Sequence, residues 1–187
     1  MSIPRLLLNL TTVGLLVFGI ASCGKSGVRA ARENTDLTDE QVISLDDLKF
    51  LFKAQETEVR QLSLAQETLG ISRNDQVREL AQRVVDDRTQ ALSGLKRLMA
   101  DKHVQEIPGR AEEIQMEAAN RLRDIPSDAV DHEFVSLMAA EQQGSVANFD
   151  SVAQSSPDFD IRSYAAGILP SLRADYAAAV DLEKKLR

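Results

Sequence analysis

From residue 44 onward, apolar residues recur at three- and four-residue intervals and seldom alternate. That spacing lines them along one side of a helix, whereas a strand would show period two. The pattern predicts four long helices. Helix one starts near Ser44, with Asp47 as its capping partner, and carries Leu48, Leu51, Phe52, Val59, Leu62, Ala65 and Leu69. Gly70 reads as its C-terminal stop. Helix two starts near Ser72 or Asn74, runs through Val77, Leu80, Ala81, Val84, Ala91, Leu95, Leu98 and Met99, and fades by His103 ahead of Pro108. A shorter helix covers Arg110 to Asp124 through Ile114, Ala118 and Leu122. Helix three begins near Ser127 and reaches about Gln154 through Phe134, Val135, Met138, Val146, Phe149 and Val152. Helix four follows Pro157, has Asp158 in its first turn, and continues through Ile161, Ala165, Ile168, Leu172, Ala179, Leu182 and Leu186. Pro170 lies inside it and removes the hydrogen bond to the Ala166 carbonyl, so a kink is expected there.

One-sided helices bury their stripes on each other. The short links at Gly70 and at Ser155-Ser156-Pro157 make helices one and two, and three and four, antiparallel neighbours. The longer link from His103 to Ser127 lets the chain cross the end of the bundle. The expected fold is therefore all-α: an antiparallel four-helix bundle over residues 44–187, with a short extra helix between helices two and three.

Each long helix also places one polar residue in mid-stripe. Glu58 shares a face with Leu51, Gln55, Leu62 and Ala65. Arg88 falls between Val84 and Ala91, Gln142 between Met138 and Ser145, and Asp175 between Leu172 and Ala179. A buried charge without a partner costs several kcal/mol, on the order of a mutated buried ion pair. The expectation is a core network in which Arg88 bridges Glu58 and Asp175, with Gln142 filling in. The competing reading has these residues leaning outward into solvent.

The first 23 residues, MSIPRLLLNLTTVGLLVFGIASC, follow a different pattern. Arg5 is their only charge, positions 6–20 are mostly apolar, and small residues Ala21 and Ser22 follow. That is the layout of a cleaved signal peptide, and the run is short for a spanning helix, which needs about 20 apolar residues. Ile20-Ala21-Ser22-Cys23 resembles the lipobox of bacterial lipoproteins. The resemblance implies cleavage before Cys23 and acylation of that cysteine. Lasting attachment needs two acyl chains, at roughly 0.8 kcal/mol per buried CH₂. Cys23 is the one cysteine of the chain, so no intramolecular disulfide is available. Residues 1–22 are thus expected to be a signal peptide, and residues 23–43 a lipidated, polar tether. Gly24, where an Asp signals inner-membrane retention, leans toward an outer-membrane anchor facing the periplasm.

Charge narrows the partners. The chain has 29 acidic and 22 basic residues and a net charge of −7, which argues against nucleic acid and against a polybasic surface for anionic lipid. There is no HExxH, CxxC, P-loop or GxGxxG, and no Glu stands three residues before His103 or His132 as a ferritin-type di-iron site requires. No catalytic residue, metal ligand or cofactor is assigned.

Five stretches carry a wider resemblance. They are Glu58-Val59 with Leu62 and Leu64-Ala65; Val85-Asp86-Asp87-Arg88-Thr89; Val130-Asp131 with Phe134; Met138-Ala139-Ala140-Glu141-Gln142 with Phe149; and Leu169-Pro170 with Leu172 and Asp175. In order and spacing they resemble a bacterial envelope family, domain of unknown function 4142, over about residues 46–186. The resemblance implies a ferritin-like four-helix bundle. The family's usual pattern has an Asp-His-Thr in helix two and a further histidine in each of helices three and four. This chain has Arg88, Gln142 and Asp175 at those places, while Glu58 matches the family's glutamate. The expected function is a lipid-anchored envelope module with a structural or interaction role and an envelope protein as partner. The alternative is a ferritin-like metal-binding or redox protein.

Overall fold

The computed structural model describes residues 42–186, so the signal peptide, Cys23 and nearly all of the expected tether lie outside the described residues. Five helices follow one another: α1 (Leu45–Ile71), α2 (Asp75–Asp101), α3 (Arg110–Arg123), α4 (Val130–Ser155) and α5 (Phe159–Lys185). Among the described residues there is no strand.

The helix ends follow local chemistry. At α1, Ser44 Oγ accepts from the Asp47 amide at 3.0 Å and donates to the Asp47 carboxylate at 2.8 Å. Asn74 caps α2 through the amides of Gln76 and Val77, and Asp158 caps α5 through those of Asp160 and Ile161. Asp158 therefore stands just before α5 rather than in its first turn. Gly70 does not stop α1. The helix runs one residue further, and the break comes at Ser72, whose extended backbone still donates to Thr68 O. The left-handed stop belongs instead to His103 (φ 56°) after α2. There the Val104 amide donates to Met99 O at 2.8 Å and the His103 amide to Ala100 O at 3.0 Å, a Schellman closure without its usual glycine. A turn at Ile107-Pro108-Gly109, with Gly109 at φ 76°, then starts α3. Helix α4 begins three residues after Ser127, because residues 127–129 form a turn and Ala129, which offers no side-chain cap, takes the N-cap place.

Contacts arrange the long helices in a ring, α1–α2–α5–α4, with α4 on α5 and α1 on α2 as the most extensive pairings. Phe50, Met99, Phe149 and Ile161 share one end of the core, and Leu64, Val77, Phe134 and Ala179 share the other. Each helix of the ring thus runs antiparallel to both neighbours. Helices α2 and α4 descend together, so the link between them has to return along the whole bundle instead of crossing its end. Helix α3 makes that return, parallel to α1: Arg110 at its start pairs with Glu56 at 2.9 Å, and Arg123 at its end pairs with Glu67 at 2.6 Å. Ile114 fixes it to Val59 and Leu92.

Pro170 sits within a continuous α5. Pro170 and Ala166 are both exposed, so the carbonyl left without a donor faces water and the helix is not broken.

Candidate functional site

The apolar core is divided. One cluster takes Phe50, Leu51 and Ala54 of α1, Leu95 to Met99 of α2, Phe149 of α4, and α5 from Ile161 to Leu172. The other takes Leu64 and Ala65, Val77 to Val84, Phe134 to Ala139, and Ala179 and Leu182. On every helix of the ring the gap between the clusters holds the mid-stripe polar residue: Glu58, Arg88, Gln142 and Asp175. All four side chains are fully buried. Helical periodicity puts them on the inner face, and antiparallel packing brings them to one level.

At that level Arg88 is the centre. Its Nη1 lies 3.3 Å from Glu58 Oε2, and its Nη2 lies 3.2 Å from Asp175 Oδ2. Nη2 also donates to Ser171 Oγ at 3.3 Å. From the bundle's outer side, Arg83 Nε donates to the other Asp175 oxygen at 3.0 Å. The two carboxylates differ in support. Asp175 accepts from two arginines, whereas neither Glu58 oxygen completes a hydrogen bond. Burial pushes Glu58 up to about 7, against the pull of Arg88 and with a further push from the Asp175 charge. Burial also raises Asp175, opposed by Arg88 and Arg83.

The structure brings Glu58, Arg88 and Asp175 together. Gln142 shares their burial, but neither its amide nitrogen nor its oxygen finds a hydrogen-bond partner among the described residues, so it does not fill in the network as a hydrogen-bonding member. The same holds for Gln61, fully buried one turn beyond Glu58. Two contributors, Arg83 and Ser171, were not singled out from the sequence, nor was the buried Gln61. Gln61 had a signal, since it sits at i+3 from Glu58 on the same face. Arg83 had none, because its 40% exposed side chain reaches inward only once α5 is placed beside α2.

His103 and His132 are exposed near helix termini. Among the described residues no group of three or more His, Cys, Asp or Glu side chains is gathered as a metal cluster would be. No described helix is long and apolar enough to cross a membrane.

Fold and buried layer together define an antiparallel four-helix-bundle domain with an ion-paired arginine at mid-bundle. The chain belongs to the family "Domain of unknown function (DUF4142)", whose model matches residues 32–182. The match begins upstream of the residue-46 limit that the sequence motifs had marked. Among solved structures, the chain is similar to the crystal structure of a DUF305 fragment from Deinococcus radiodurans. The TM-score is 0.63 at 17% identity, covering 76% of this chain and 98% of that one. At that identity the likeness concerns the fold alone. No curated protein matches the chain.

Proposed function

We propose that this protein is a lipid-anchored module of the bacterial envelope, held by acyl chains on Cys23 to the outer membrane and facing the periplasm, where its bundle acts in a structural or interaction role. The observation that carries the reading is the sequence Ile20-Ala21-Ser22-Cys23, in which the single cysteine of the chain closes a signal-peptide layout. Attachment through lipid suits a domain whose described helices include no membrane span. The site supports a non-enzymatic role because Arg88 occupies the level where a ferritin-like bundle places its chemistry and ties up Asp175 there. The test is to express the chain in a Gram-negative cell with labelled palmitate and fractionate the membranes. Label in an outer-membrane protein that begins at Cys23, lost in Cys23→Ser, is expected. Unlabelled protein in the soluble fraction refutes the anchor.

One observation favours the alternative of a metal-binding or redox protein: the buried Glu58 carboxylate has both oxygens without a hydrogen bond. Arg88 opposes that reading, since a guanidinium 3.3 Å from the carboxylate repels a cation placed beside it. Loading with iron, manganese or zinc and counting metal by elemental mass spectrometry separates the two. One or two tightly held ions per chain, lost in Glu58→Gln, establishes the alternative.

A further inference from the structure

Between α1 and α4 the ring is open to solvent through a cleft of about 450 Å³. The opening has a sequence cause. On α4 the residues facing it include Ala140 and Gly144, and a Cβ added at Gly144 meets nothing within 4 Å. Two cations from α1, Lys53 and Arg60, line it from one face of the helix, about two turns apart. Neither closes a salt bridge with a described residue. Glu141 stands across from them and is raised by burial, with Arg60, Arg121 and Lys53 pulling the other way. Arg60 and Glu141 also border a neighbouring hollow of about 230 Å³, which includes Arg121. Arg121 is paired with Glu133 at 2.9 Å and Glu117 borders the same hollow, so the cations left to the cleft are Lys53 and Arg60, set against the Glu141 carboxylate, an excess of one positive charge that favours an anion there.

The cleft is polar as well as apolar: Thr57, Ser145 and the exposed Asn148 line it beside Phe149. Adjacent in sequence to Arg60 and Glu141 are Gln61 and Gln142, whose amides are fully buried and unpartnered but do not line the cleft. The Gln61 amide sits beside the Glu141 carboxylate without completing a hydrogen bond. A concave site lined by two cations without salt bridges, one carboxylate and the polar side chains of Thr57, Ser145 and Asn148 has the make-up of a small-ligand pocket.

We propose that the α1–α4 cleft binds a small organic acid, its anionic group held by Lys53 and Arg60 and its hydrogen-bonding body by Thr57, Asn148 and Glu141. Glu141 makes the site selective: a bare anion faces its charge, whereas a hydroxyl-bearing acid donates to it. This assignment is independent of the lipid anchor and of the Arg88 layer.

Isothermal titration of the whole chain, as isolated from the expressing cell in mild detergent, tests it with three probes: galacturonate, its neutral counterpart galactose, and inorganic phosphate. Galacturonate is expected to bind saturably at one site per chain, more tightly than phosphate, with no binding of galactose. Lys53→Gln and Arg60→Gln are each expected to weaken it roughly tenfold, about 1.4 kcal/mol. Gly144→Leu fills the cleft, keeps good helix propensity and is expected to abolish binding without lowering the melting temperature. Absence of saturable galacturonate binding in the millimolar range overturns the proposal. So does binding of phosphate alone, or galacturonate affinity unchanged in the three folded variants.

Discussion

Arg88 lies 3.3 Å from Glu58 and 3.2 Å from Asp175, and none of the three side chains reaches solvent. The pairing joins α2 to α1 on one side and to α5 on the other, at the level where the two apolar clusters separate. Removing the guanidinium leaves a buried carboxylate on each side. Arg88→Ala is therefore expected to cost about 3–5 kcal/mol in a urea melt. A loss below about 1 kcal/mol means that the layer is hydrated and the ion pairs contribute little.

The same layer sets a pH dependence of uncommon sign. Glu58 is raised from 4.5 to about 7, so between those values the folded chain holds a proton that the unfolded chain has released. Its contribution is fully present below pH 4.5 and is lost as pH rises toward 7. The loss is roughly 3 kcal/mol, at about 1.4 kcal/mol per pH unit. Asp175, raised from 3.8, acts in the same direction. Asp158 is lowered by Lys102 and the α5 amides, so its contribution is present above 3.8 and lost in acid. A difference curve isolates Glu58. Subtracting the stability of Glu58→Gln from that of the parent chain is expected to give a downward slope from pH 4.5 to 7 and a plateau above. A flat difference curve contradicts the raised carboxyl.

The two helix stops make a paired test. Gly70 is exposed, lies inside α1 at a negative φ, and has open space where a Cβ would go. Gly70→Ala is expected to stabilise the fold by about 0.5–1 kcal/mol. His103 holds the left-handed position after α2, which costs a side chain roughly 1–2 kcal/mol. His103→Gly is expected to stabilise by about 1 kcal/mol. Thermal melts of both variants check this, and destabilisation by Gly70→Ala would show that Gly70 is the stop after all.

Asp158 joins two roles, as cap of α5 and as partner of Lys102 Nζ at 2.6 Å. Asp158→Ala removes both and is expected to cost about 1–2 kcal/mol, whereas Asp158→Asn keeps the cap and is expected to lose under half of that. Equal losses in the two variants would assign the effect to the ion pair.

Helix existence was legible in the sequence because 3.6-residue periodicity is a local property, as were the caps at Ser44 and Asn74. The stripe of α2, from Val77 to Met99, is buried throughout. Along α1 the reading was less complete: Phe50, Ala54, Leu64 and Thr68 are buried, and Phe52, Leu62 and Leu69 only half so. Helix α1 faces α2, α3 and α4 at once, so its buried face is wider than one stripe. The C-terminal signals misled because glycine is only one way to end a helix. Ser72 ends α1 by turning extended, and the hydrophobic contacts of Met99 and Val104 hold His103 in a position that glycine usually takes.

What the sequence determined by itself was the set of helices, their inward faces and the mid-stripe placement of Glu58, Arg88, Gln142 and Asp175, because each depends only on spacing along one helix. What the tertiary structure alone decided was the ring order, the return path of α3 along α1, the approach of Arg83 to Asp175, and the cleft left open by Gly144. These depend on which helix lies beside which. Helix order follows from the sum of many weak side-chain contacts between distant segments, and no short window of sequence carries that sum.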